Sequence, residues 1–168
     1  LDIAISISLI GVLLIPVLVI FVMLKSSSKD SVIYYSDRIG KNNHIFKMPK
    51  FRTMKSGVPE VATHLMKNAD TNTTKIGKFL RKTSLDELPQ LWSVVKGDMA
   101  LVGPRPALYN QYDLIKLRTS YGVEKLTPGI TGWAQINGRD EISIDKKVQF
   151  DAEYLERRSI LFDLEILF

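Results

Sequence analysis

The chain has 168 residues, 45% of them hydrophobic, a net charge of +5 and no cysteine. That length accommodates one core rather than two, and the lack of thiols excludes a disulfide framework and thiolate catalysis. Asp2 is the one ionisable side chain before Lys25, so the rest of the chain carries 23 basic and 17 acidic residues, a net charge of +6. A basic body beside an apolar segment points to anionic partners: phospholipid head groups, phosphate esters or nucleic acid.

Ile3–Leu24 is a run of 22 residues without a charge. It is too long for a signal-peptide core and is followed by Lys25-Ser-Ser-Ser-Lys29 rather than a small-residue cleavage site. About 20 apolar residues cross the hydrocarbon layer. Pro16 stands inside the run, however, removing one backbone hydrogen bond and crowding the preceding turn. The residues alone leave two readings open, a spanning helix and a re-entrant one broken near Pro16. The chain begins on Leu1 rather than Met and ends mid-pattern on Phe168, so both ends are expected to be trimmed.

Beyond a short polar linker, Lys25–Asp30, strand composition is found at Ser31–Tyr35 and His44–Met48, with turn chemistry over Asp37–Asn43. Glu60–Lys67 predicts a short helix and Asn68–Thr74 a polar loop. Ile76, Phe79 and Leu80 recur at helical spacing and predict a second helix leading up to Arg81. Leu88–Val95 predicts a helix stopping before Gly97. A Gly-Pro-Arg-Pro turn follows at 103–106, then a helical stretch over Tyr109–Tyr121 and a glycine-punctuated loop over Thr127–Arg139. Ile144, Val148, Ala152 and Leu155 mark one helical face, and the apolar Ile160–Phe168 suits either the core or a membrane interface. The expected class is helix-rich α/β in a single membrane-associated domain.

The strongest local signal is Arg81-Lys-Thr-Ser-Leu-Asp-Glu-Leu-Pro-Gln-Leu91. Ser84-x-x-Glu87 reads as a capping box. It would then place Pro89 where a helix needs an N–H, so a later helix start with Pro89 in the first turn is the competing reading. Asp86 and Glu87 would in that case lie at a helix start, where the dipole stabilises carboxylates and can hold phosphate. Adjacent carboxylates there can divide attack on phosphorus from the holding of a hard cation. Phosphoryl transfer calls for charge neutralisation, and Lys50, Arg52, Arg81, Arg105 and Arg139 are the candidate cations. Arg105 is pinned between Pro104 and Pro106, a costly arrangement for an idle surface charge. Trp92 is expected in the core; Trp133 suits a stacking site, the lipid interface or the core. Two histidines far apart in sequence make no metal site, and there is neither a P-loop nor G-x-G-x-x-G.

Five motifs in order resemble the bacterial sugar transferases, the monotopic polyprenol-phosphate phosphoglycosyl transferases. They are Phe46-x-x-x-Lys50-Phe-Arg-Thr-Met54, Ser84–Leu91, Lys96-Gly-Asp-Met99, Val102-Gly-Pro-Arg-Pro106 and Pro128–Arg139. The resemblance covers nearly the whole chain. It implies transfer of a sugar-1-phosphate from a UDP-sugar to undecaprenyl phosphate with release of UMP, the first step of glycan assembly. It implies Asp86 as nucleophile, forming an aspartyl-phosphosugar, and Glu87 as a ligand of Mg²⁺. Arg81 and Arg105 match family positions near the phosphates, and Lys50, Arg52, Gln135 and Arg139 match positions around the active face. It further implies residues 1–24 as a re-entrant helix broken near Pro16 and residues 25–168 as the catalytic domain, with interfacial amphipathic helices, at the cytoplasmic face of the bacterial inner membrane.

The sequence departs from the family pattern in having Ile15 rather than serine before Pro16. The sugar is not fixed by any one residue. Membrane phospholipid is an expected partner, self-association through the apolar segment is compatible with the pattern, and nucleic acid is not expected. Two alternatives stand beside the covalent route: direct attack by the lipid phosphate with the dyad only binding metal, and a basic membrane-anchored scaffold.

Overall fold

The computed structural model describes residues 1–27, 30–55, 57–58, 72–138 and 142–168. The expected helix at Glu60–Lys67, most of the loop at 68–74 and part of the linker lie outside these residues. Helix α1 runs from Asp2 to Ser27 and is long and apolar enough to cross a membrane by length and composition. The helical assignment continues through Pro16. The helix docks on the body on both sides of the proline, which offsets the lost bond. Ser6, Ile10, Leu13, Val17, Ile20 and Leu24, spaced three and four apart, form one protected stripe, and the flanking apolar residues are exposed. At its start the Asp2 carboxylate accepts the Leu101 backbone N–H at 3.2 Å. Near its end Ile20 and Leu24 pack with Val32, Phe51 and Leu80.

Strands β1 (Ile33–Ile39) and β2 (Ile45–Phe51) form an antiparallel hairpin with Ile33 opposite Phe51 and Ile39 opposite Ile45. Both strands reach further than the sequence suggested, and the turn shrinks to residues 40–44. Asp37 lies opposite Lys47 and pairs with it at 3.2 Å, so polar residues read as a turn are the solvent side of the ladder. Asn42 and Asn43 take left-handed φ of 54° and 59°, which asparagine tolerates best after glycine.

Helices α2 (Lys75–Lys82) and α3 (Gln90–Lys96) flank a 3₁₀ turn at Leu85–Glu87. Thr74 caps α2 by accepting the Gly77 N–H, and Gly97 ends α3 at φ 85°. Leu91 and Val94 turn inward while Trp92 is 60% exposed, against its expected place in the core. Strand β3 (Ala100–Val102) pairs in parallel with β4 (Gly129–Thr131). The stretch expected as a loop therefore holds a strand and a one-turn helix, α5 (Trp133–Ile136). Its glycines serve close backbone approach: a Cβ on Gly129 would sit 2.1 Å from the Gly103 nitrogen, and one on Gly132 2.1 Å from the Gly103 oxygen.

Helix α4 (Tyr112–Ser120) begins three residues later than expected; α6 (Ile144–Arg157) buries Val148 and half-buries Ala152 and Leu155 of the predicted face, while Ile144 at its start is exposed. The last helix, α7 (Ile160–Leu167), divides its sides. Phe162 and Ile166 join Val102, Val123, Leu126 and Tyr154 in a core cluster, while Ile160, Leu161 and Leu164 are exposed.

A Cβ on Gly77 would meet the Thr53 oxygen at 2.1 Å, whereas one on Gly11 meets nothing within 4 Å. Gly77→Ala should therefore cost about 2 kcal/mol or more by forcing α2 off the end of β2. Gly11→Ala should leave thermal unfolding in detergent unchanged. Equal melting temperatures for the two variants would contradict this packing.

Candidate active site

Ser84 sits in the left-handed region at φ 57°, and its side chain caps nothing, so Ser84-x-x-Glu87 is not a capping box. Its conformation turns the chain out of α2 and into the 3₁₀ turn, where Leu85 and Leu88 pack at the edge of the cluster holding Leu80 and Phe51. Pro89 directly precedes α3 with φ −60°, as the later helix start requires. The two acids stand on the turn upstream of this seven-residue helix, so neighbouring cations rather than a helix dipole are their main partners.

Glu87 is held by two cations. Lys50, on β2, donates to Glu87 Oε1 at 3.1 Å, and Arg105 forks onto both oxygens at 2.5 and 3.4 Å. Burial alone would raise the Glu87 carboxyl, but Arg105 and Lys50 outweigh it and bring the group down to about 2. Burial lowers the Lys50 ammonium to about 8, with Arg105 adding to the effect and Glu87 opposing it. Asp86 is 9% exposed and, among the described residues, accepts no hydrogen bond from another residue's side chain. Burial pushes its carboxyl above the ordinary aspartate value; the charges of Lys50 and Arg81 pull the other way.

The segment carrying Arg105 is fixed from four sides. The Pro104 carbonyl accepts from the Gly129 N–H at 3.0 Å and the Ala107 carbonyl from the Ile39 N–H at 2.9 Å. Between them, Arg118 donates to the Arg105 carbonyl at 2.8 Å and Arg38 to the Pro106 carbonyl at 3.2 Å. Arg118 is in turn held by Asp151, whose Oδ2 accepts from its Nε and Nη2 at 2.9 and 2.7 Å in a buried pair. Sequence reasoning missed Arg38, Arg118 and Asp151. The signal was available for two of them: Arg118 lies one turn after Leu114 and Asp151 one turn after Val148, so each interrupts a core-facing stripe with a charge.

Lys50, Arg81, Asp86, Glu87 and Arg105 thus come together. Arg52 does not join them: it lies beyond the end of β2, donates to the Ser31 carbonyl at 2.7 Å and covers the Tyr34 ring. Arg139 lies outside the described residues. Gln135 stands on α5 with both amide atoms buried and, among the described residues, without a hydrogen-bond partner. That helix is anchored by Trp133, which donates to Glu153 at 2.8 Å and packs against Phe162 with Arg157 beside it. Trp133 is therefore part of the interior packing.

The carboxylates fit a hard cation only in part. Among the described residues no three acidic, histidine or cysteine side chains converge. Glu87 Oε2 keeps acceptor capacity beside its single 3.4 Å contact, and Asp86 adjoins it. One or two carboxylates completed by substrate phosphates and water is the usual Mg²⁺ arrangement.

Asp151→Asn would leave the buried Arg118 charge uncompensated and should cost about 3–5 kcal/mol in denaturant unfolding. The double variant Arg118→Met with Asp151→Leu should recover most of that loss. A single variant as stable as the native protein would refute the pair's role.

The model of the family described as bacterial sugar transferase matches residues 1–168, the whole chain. The chain is 44% identical over 170 residues to the UDP-glucose:undecaprenyl-phosphate glucose-1-phosphate transferase of Escherichia coli (strain K12), covering 96% of this chain and 36% of that protein. It is 37% identical over 171 residues to the UDP-galactose-lipid carrier transferase of Erwinia amylovora, covering 93% and 36%. It is 38% identical over 167 residues to the exopolysaccharide production protein ExoY of Rhizobium meliloti (strain 1021), covering 90% and 73%. The chain thus spans about a third of the length of the first two relatives and most of the third. From the whole-chain match and these relatives, the chain belongs to the bacterial sugar transferase family.

Proposed function

We propose that this chain transfers a sugar-1-phosphate from a UDP-sugar to undecaprenyl phosphate, by way of a covalent phosphosugar on Asp86. The names of the Escherichia coli and Erwinia amylovora relatives support the reaction class. One observation carries the covalent route: Glu87 is committed to Lys50 and Arg105, whereas Asp86, buried next to it, has no cation bonded to its carboxylate among the described residues. A carboxylate that attacks phosphorus needs unencumbered oxygens, and one that holds cations does not.

In the first step an Asp86 carboxylate oxygen forms a bond to the β-phosphorus. The bond from that phosphorus to the bridging oxygen breaks, and its electron pair leaves with UMP. In the second step an oxygen of the lipid phosphate bonds to the same phosphorus, and Asp86 departs as a carboxylate. Neither step needs a proton from the protein. The demand is for positive charge around phosphate oxygens, which Arg105, Lys50 and Arg81 supply. Bound Mg²⁺ would add charge neutralisation, held by Glu87 with phosphate oxygens.

The lipid acceptor requires the site to lie at a membrane surface. Both ends of α1 rest on the body, through Asp2 on Leu101 and through Ile20 and Leu24 in the core. That supports a helix seated in the leaflet nearest the body rather than one leaving it on the far side. The exposed Ile160, Leu161 and Leu164 of α7 would share that interface. On this reading the protein acts at the cytoplasmic face of the inner membrane.

Asp86→Asn should lower UMP release from a UDP-sugar, measured without lipid acceptor, by at least about 10³-fold. Chelation with EDTA should suppress release by the native protein, and added Mg²⁺ should restore it. Near-native release by Asp86→Asn would overturn the nucleophile assignment and favour direct attack by the lipid.

A further inference from the structure

Arg105 and Glu87 are each assigned to a ligand, phosphate and metal respectively, yet they are bonded to each other. The fork closes on both Glu87 oxygens, and Lys50 takes a second position on Oε1. A metal ion approaching Glu87 therefore meets two positive charges already on the carboxylate. The five charged groups of the site, Lys50, Arg81, Arg105, Asp86 and Glu87, sum to +1. A divalent cation alone would raise the site to +3, and the diphosphate of a UDP-sugar alone would take it to −1. The two together return it to its resting charge.

From this we infer that the Arg105–Glu87 fork is a resting contact which the nucleotide diphosphate dismantles, so that the metal site is completed only when the nucleotide is bound. Guanidinium matches phosphate oxygens with the same bidentate geometry it uses on carboxylate, so an incoming diphosphate competes for Arg105 on equal terms. Once Arg105 turns to phosphate, Glu87 Oε2 is released and the phosphate oxygens supply the ligands the protein lacks. The backbone of Arg105 need not move. Its carbonyl stays on Arg118 and its neighbours' carbonyls stay on Gly129, Arg38 and Ile39, so the exchange is a side-chain rotation from a fixed base. Linkage then requires the metal to strengthen nucleotide binding by the same factor.

The inference rests on the proposed phosphosugar transfer, and its test does not use turnover. Free Mn²⁺ is followed by its electron paramagnetic resonance signal as it is titrated into the full chain, with and without UDP. Without nucleotide, Arg105→Ala should bind Mn²⁺ at least about fivefold more tightly than the native protein. Arg52→Ala, which removes a charge that lies away from the site, should differ from native by less than about twofold. Saturating UDP should tighten Mn²⁺ binding to the native protein about tenfold or more, and by a smaller factor in Arg105→Ala. Arg105→Lys keeps the charge while losing the fork, and should show a rise of at least about twofold even if the alanine variant is unstable. Native protein that binds Mn²⁺ without nucleotide as tightly as the Arg105 variants would overturn the inference. So would an equal rise in Arg52→Ala, which would reduce the effect to general electrostatics. Failure of the native protein to release UMP from any UDP-sugar would instead sink the functional reading and leave the metal–nucleotide linkage standing.

Discussion

Four consecutive carbonyls, from Pro104 to Ala107, each accept a hydrogen bond from a different part of the chain: β4, α4, β1's Arg38 side chain and the end of β1. Two prolines remove the competing donors from this segment and fix its φ angles. The result is a rigid seat for a long, otherwise mobile side chain. Arg105 loses little further freedom when it grips a carboxylate or a phosphate, which is the use of pre-organisation in a site that works by charge. The buried Arg118–Asp151 pair makes sense in this light. Two apolar residues of similar volume would fill the space at least as stably, but could not donate to the Arg105 carbonyl.

Opposite that seat, the 3₁₀ turn separates two chemically similar neighbours. Glu87 is drawn down by Arg105 and Lys50, while Asp86 is pushed up by burial. Adjacent acids with divergent environments are the pattern expected where one serves electrostatics and the other attacks. Leu85 and Leu88, packed at the edge of the cluster formed by α1, β2 and α2, hold the turn against the part of the core to which the apolar helix contributes Ile20 and Leu24. The candidate site and the apolar helix therefore share one packed unit.

Much of this was legible in the sequence, for identifiable reasons. Pro89 marked the true helix start, α2 and most of α6 followed their apolar periodicity, and α3 followed its apolar run. The pinned Arg105 announced itself by its two prolines. Other features were hidden. The hairpin strands outran their apolar residues because Asp37 and Lys47 pair across the ladder, which depends on register. The glycines of 129–132 read as loop but permit a close backbone approach to Gly103, a contact no local pattern displays. Pro16 left a spanning and a broken helix both open; the helical assignment of α1 runs through it, with the protected stripe on both sides of the proline. Arg52 looked equivalent to Lys50, two residues earlier, but lies beyond the strand end where the two-residue alternation lapses.

The account turns on a covalent bond to Asp86. Its most direct measurement is the intact mass of the native chain after incubation with a UDP-sugar and Mg²⁺ in the absence of lipid acceptor, followed by peptide mapping. The account predicts a mass increase equal to one phosphosugar, located on Asp86 and discharged when undecaprenyl phosphate is added. Unmodified protein under conditions where UMP is released, or an adduct mapped to another residue, would contradict it.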